Sequence, residues 1–225
     1  MSETTRGRFE AAIVAIAPFF LLAALGYHPY IANLTDKSAV AGAMSAGTTR
    51  WALAHIAVGV GFGLLLIAFL AVRSYLREAG EQRWSPRAVP FLVMGTTLTV
   101  FLPAMETAMA AASRVGADPV ALQEELQTWF VPMMVAGALT FGIGVICIAI
   151  AIVRSRVFDR ELTRAVAGAL VVMALSRFVP FGGALYVGAV AGVVALVPIA
   201  IQMRSRPSAR LSVGPMVAAG RGGAR

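Results

Sequence analysis

The sequence holds one cysteine, Cys147, and one lysine, Lys37, among its 225 residues. A single cysteine excludes an intramolecular disulfide and any CxxC redox or zinc motif. Lys37 falls in a loop, so no apolar span contains a lysine and a retinal Schiff base is excluded. Soluble catalytic patterns are missing too: there is no GxSxG, no HExxH and no phosphate-cradling glycine loop before a helix. No internal repeat is found. An inverted-repeat transporter therefore lacks support, although Pro103 and Pro198 interrupt their spans. No motif names a reaction, and the reading leans away from an enzyme.

Apolar residues make up 59% of the chain, and its mean hydropathy is +0.79. Several apolar runs are long enough to cross a bilayer, which places the chain in the integral membrane class. The spacing predicts an all-α bundle of six transmembrane helices at about 9–27, 51–72, 88–112, 130–153, 165–180 and 184–203. These form a single domain. Short amphipathic segments at 36–49 and 118–129 are expected to cap the outer face, the second started by Asp118-Pro119 as N-cap and first helical residue. The tail at 204–225, basic and rich in glycine, reads as disordered and cytoplasmic.

Basic residues outnumber acidic ones, 19 to 11. They cluster at span ends with no aromatic platform between them, which excludes a nucleic-acid surface and points to topology. Fifteen of the 19 fall on the N-terminus, the loops at 73–87 and 154–164, and the tail. The positive-inside rule then predicts both termini in the cytoplasm and a multi-pass protein of the inner (plasma) membrane. The same arginine clusters suit anionic lipid headgroups. Abundant Arg and Ala, against one Lys and one Asn, suggest a bacterial source.

The third span, 88–112, carries Glu106, a carboxylate deep in an apolar run. Such a group must face the bundle interior, water or a partner, which makes it a site hypothesis by default. Thr96, Thr99, Pro103, Glu106, Ala110 and Ser113 repeat at steps of three and four, so they share one helix face. In the second span Trp51, His55, Gly59 and Gly63 recur every four residues, a stripe expected to pack closely. In the fourth, Phe130, Met133, Gly137, Thr140, Gly144 and Cys147 share one stripe at steps of three and four.

With the predicted orientation, a rise of about 1.5 Å per residue places Glu106 roughly 27 Å from the cytoplasmic start of its span. His28, His55 and Arg177 fall at similar depth on the outer side. Each has a structural reading. Glu106 can pair with Arg177, Arg177 can reach outward to headgroups, His28 can be interfacial, His55 can bond a neighbouring backbone, and Cys147 can be packing. The functional readings differ in class. In the first, His55, Glu106 and Arg177 form an outer polar pocket holding a small ligand, a lipid or a partner subunit, including a second copy of the chain. In the second, His28, His55 and Glu106 ligate a divalent metal, or the two histidines ligate haem b, in a membrane redox protein. In the third, Glu106 takes up and releases a proton in a small transporter.

Tyr27-His28-Pro29 closing the first span, Trp51-x-x-x-His55 opening the second and an inward glutamate in the third resemble small multi-pass membrane proteins of actinobacteria. The likeness covers about the first half of the chain and implies no activity.

Overall fold

The computed structural model describes residues 3–205. Seven helices account for nearly all of them: α1 (Glu3–Tyr27), α2 (Lys37–Ala46), α3 (Thr48–Glu78), α4 (Ser85–Arg114), α5 (Pro119–Ser155), α6 (Arg160–Leu175) and α7 (Gly182–Ser205). One turn of 3-10 helix, Ser176–Phe178, follows α6. Among the described residues there is no strand, only an isolated antiparallel bridge between Asn33 and Phe181. The fold is all-α, as expected. The tail from 206 on lies outside the described residues.

Five helices (α1, α3, α4, α5 and α7) are long and apolar enough to cross a membrane. The helix expected over 165–180 begins earlier, at Arg160, and gives way to 3-10 geometry at Ser176. Its sixteen residues leave it outside that group of five. The segment at 118–129 is not a separate cap: it runs without a break into α5. Pro132 lies inside that helix without ending it, as prolines in apolar helices often do when neighbouring elements satisfy the freed carbonyl. At 37 residues, α5 is about 55 Å long, well beyond the roughly 30 Å of a hydrocarbon core.

Side chains at the breaks set the helix ends. Asp36 accepts from the backbone N–H groups of Ser38 and Ala39, Asp118 from Val120, and Asp159 from Leu162. These are N-caps, each satisfying amides that have no partner within the helix. Glu81 does the same for α4 from four residues upstream, accepting from the N–H groups of Arg83, Trp84 and Ser85.

The long helices close into a ring: α1 packs on α3, α3 on α4, α4 on α5, α5 on α6, α6 on α7, and α7 back on α1. Phe62, Phe69 and Phe141 fill its centre. Apolar side chains cover its outside, for example Ile16 and Phe19 on α1, Ile56 and Val60 on α3, Val172 on α6 and Val190 on α7. A second, smaller core sits at one end, where Ile31, Val40, Met44, Trp51, Met109 and Ala110 gather with Leu122 and Leu126. There α2 and the first turns of α5 lie over the ends of α3 and α4. The loop after α1 is tied to the turn before α7, since Gly182 donates to the carbonyl of Ala32. A Cβ at Gly182 would overlap the Ile31 carbonyl oxygen, so only glycine fits this junction.

Close helix approach follows the expected stripe of the fourth span, at Gly137 and Gly144, but not that of the second. Gly63 has open space around it, whereas a Cβ at Gly61 would come within 3.1 Å of Leu21 of α1. The tightest contact is between α4 and α5. There a Cβ at Gly95 would overlap the backbone of Phe141, and one at Gly144 would come within 2.7 Å of Leu92.

Candidate functional site

The polar side chains of the interior fall in two layers. One lies beneath the α2 cap. His28 sits one residue past α1, where its own backbone N–H closes the helix by donating to Ala24 and Leu25, and Pro29 prevents further winding. His55 is two turns into α3. Their rings meet edge to face with centroids 4.7 Å apart. The loop thus folds His28 back onto the start of α3.

Each histidine spends one ring nitrogen on a carbonyl. Nδ1 of His28 donates to Pro29 O at 2.6 Å, and Nδ1 of His55 donates to Trp51 O at 2.9 Å. A carbonyl only accepts, so both protons are assigned to Nδ1 and both Nε2 atoms carry lone pairs. The two Nε2 atoms lie 3.4 Å apart, with one ring edge-on to the other. Burial holds the His28 ring below its ordinary imidazole pKa despite the bond to Pro29, and the Arg50 charge adds to this. Arg50 itself is pinned, with Nε donating to Tyr27 O at 2.8 Å.

Trp51 links this pair to the carboxylate. Its ring lies 4.5 Å from His55 and 5.0 Å from His28, and it is buried. The indole N–H is directed towards Glu106 but falls short of hydrogen-bond geometry. Glu106 instead accepts from Gln123 Nε2 at 3.2 Å, and both side chains are almost fully buried. The cluster is therefore His28, His55, Trp51, Glu106 and Gln123, contributed by the α1–α2 loop, α3, α4 and α5.

The inner layer lies about 10 Å deeper, two helical turns along α4. Arg177 reaches in from the 3-10 turn after α6. Its guanidinium lies over the Phe62 ring at 4.6 Å and near Phe141 at 5.8 Å, with Nη2 donating to Thr99 Oγ1 at 3.4 Å. Arg177 Nε and Thr96 Oγ1 are buried without a hydrogen-bond partner.

The chain matches no family model, no curated protein and no solved structure. The site is accordingly read from its own residues.

Several expectations are revised by this geometry. Glu106 and Arg177 do not pair: the ion pairs among the described residues are Arg6–Glu10, Lys37–Glu124 and Glu161–Arg164, none of which involves either. Arg177 does not reach outward to headgroups but turns inward onto aromatic faces. The set His28, His55 and Glu106 does not converge. Among the described residues no group of three His, Cys, Asp or Glu is placed to hold a metal, and the Trp51 ring stands beside the histidines where the carboxylate was expected. The face of α4 from Thr96 to Ala110 is buried as its spacing predicts. Cys147 is buried as a packing residue.

Two participants were missed. Gln123 lies between Leu122 and Leu126 on the inward face of early α5, and a glutamine among inward leucines was the available signal. Trp51 was read only as the head of a packing stripe.

Proposed function

We propose that this chain is a six-span protein of a bacterial plasma membrane, with both termini cytoplasmic, that binds a small ligand in the polar cluster beneath its outer cap. One observation carries the reading. Five polar or amphipathic side chains from four elements meet in one contiguous cluster, with Trp51, Glu106 and Gln123 buried and the two histidines half-buried, and that cluster lies at the end of the ring away from the arginine-rich loops. Intramembrane polar groups are costly, so their convergence in one place is what a binding site needs and packing alone does not. The sixth span is α6 with its 3-10 extension. It fills the gap between α5 and α7, and residues 160–178 rise about 30 Å, enough for the hydrocarbon core. Arginine placement supports the orientation. Arg83 and Arg154 line one shallow depression with Glu81, Gln82 and Ser155, a surface suited to an anionic lipid headgroup. The cluster holds no activated nucleophile, which favours binding over catalysis.

The test is native mass spectrometry of the protein released gently from its own membrane. A retained small species, lipid or partner subunit that is present in the wild type and in Glu161→Ala, and lost in Glu106→Ala, is the expected result. A bare chain in every sample would overturn the reading. A haem mass would favour the redox alternative, for which the histidine rings, now in contact, would have to part.

A further inference from the structure

We propose that the layer around Arg177 is a second site, separate from the histidine and glutamate cluster, and that it binds a small planar oxyanion of single charge, a short carboxylate or nitrate. The argument starts from an imbalance of charge. The guanidinium sits inside the ring of helices, 4.6 Å from the Phe62 ring and 5.8 Å from that of Phe141. No ion pair among the described residues includes it. Aromatic faces offset part of the desolvation of a cation and leave the rest. Charged groups within a membrane otherwise pair with one another or line the path of an ion or solute.

The donors of this layer are unspent. In a guanidinium the Nε–H and the neighbouring Nη2–H point in parallel, the fork that takes both oxygens of a carboxylate. Here Nε is buried with no hydrogen-bond partner, and Nη2 has only the Thr99 hydroxyl at 3.4 Å. Thr99 Oγ1 accepts that bond, which leaves its own hydrogen to donate. Thr96 lies one turn along the same face of α4, and its buried hydroxyl has no partner. A helical threonine can spend its hydroxyl on the carbonyl four residues back, as Thr107 and Thr140 do. Thr96 does not. Gly137 keeps the space beside Thr99 free, since a Cβ there would come within 3.2 Å of Oγ1. Arg177 as a whole is only half-buried, so a small solute can reach it.

Charge and shape select the ligand. One cation matches a monoanion, whereas a dianion such as sulfate would keep an unpaired charge in an apolar layer. Two parallel N–H groups match two oxygens in one plane, which a halide lacks. Glu106 takes no part: it lies about 10 Å away along α4 and accepts from Gln123.

The experiment uses the full chain in detergent, exchanged into a buffer whose anion is a bulky sulfonate. Sodium formate and sodium nitrate are titrated separately at constant ionic strength, with binding followed by calorimetry and by the unfolding midpoint. One saturable site per chain is expected for each anion, with a midpoint that rises as the anion is added. Arg177→Met should abolish binding. Arg177→Lys, which loses the fork, and Thr96→Val, which loses one donor to the anion, should each weaken it about tenfold or more. Glu106→Ala should leave it unchanged. Thr96→Val keeps the shape of the side chain and covers the case in which Arg177→Met fails to fold. Absence of saturable binding of both anions to the wild type would overturn the proposal. So would a midpoint that rises equally in wild type, Arg177→Met and Thr96→Val, which is a salt effect only. Chloride binding as tightly as formate would overturn the planar oxyanion as ligand, and loss of binding in Glu106→Ala would overturn the separation of the two sites.

Discussion

Glu106 on α4 takes a hydrogen bond at 3.2 Å from Gln123 on α5, seventeen residues along the chain. The bond crosses the turn at Val115–Asp118 and ties the adjoining ends of the two most closely packed helices. Its removal leaves a buried carboxyl without its donor. Gln123→Leu should therefore lower stability by about 1–2 kcal/mol, at the upper end of what polar contacts between membrane helices contribute. A double-mutant cycle with Glu106→Leu, followed by unfolding in mixed micelles, checks it. Replacing both should cost less than the sum of the two single changes. Strict additivity would mean the contact contributes nothing.

Helix approach gives a sharper contrast. A methyl at Gly95 has no room beside the Phe141 backbone, while one at Gly63 meets nothing within 4 Å. Backbone cannot move aside as a side chain can. Gly95→Ala should destabilise by about 1–3 kcal/mol or more, as overpacking does. Gly63→Ala should be neutral, or stabilising by up to about 1 kcal/mol through helix propensity. Unfolding midpoints of the two variants, measured side by side, decide it.

These cases show what the sequence could and could not carry. Apolar length and the 3.6 period locate the long helices and the buried face of α4, because both are properties of one segment. The partner of that face is not. Nothing in the spacing of Glu106 distinguishes Arg177, at similar predicted depth, from Gln123, which the long rigid start of α5 delivers from outside the expected span. Arg177 ends deeper than expected because the 3-10 turn after α6 directs its side chain inward. The pairing of His28 with His55 was suggested by depth, but their contact depends on how the loop at 28–35 folds back, and the Gly182 junction fixes that path.

The cap on α4 predicts a pH response. Burial pushes the Glu81 carboxyl up, but the N–H groups of Trp84, Ser85 and Arg83 and the Ser85 hydroxyl together hold it below the usual value of 4.5. A carboxylate depressed on folding stabilises the protein above its unfolded pKa, and that contribution is lost as pH falls through the folded one. Glu81→Gln should thus cost about 1 kcal/mol at pH 7, the usual scale of a helix cap. The gap to wild type should shrink as pH drops below about 4.5 and into the folded titration. Unfolding midpoints of both proteins from pH 7 down to pH 3 test this. A gap that stays constant would mean Glu81 acts by packing rather than by charge.

Arg177 offers the opposite case, a buried cation with no carboxylate partner among the described residues. Its compensation comes from the Phe62 and Phe141 faces and the Thr99 hydroxyl. A cation over an aromatic ring contributes about 0.5–2 kcal/mol, less than the several kcal/mol of desolvation that a buried charge incurs. The charge is therefore a net burden on the fold. Arg177→Met, which fills similar space without charge, should match or exceed the wild type in unfolding midpoint. Arg177→Lys should be the least stable of the three, because a compact and strongly hydrated ammonium loses the planar stacking but keeps the desolvation cost. That order would show that Arg177 is kept for something other than stability. Destabilisation of Arg177→Met below Arg177→Lys would show that the charge itself holds the ring of helices together.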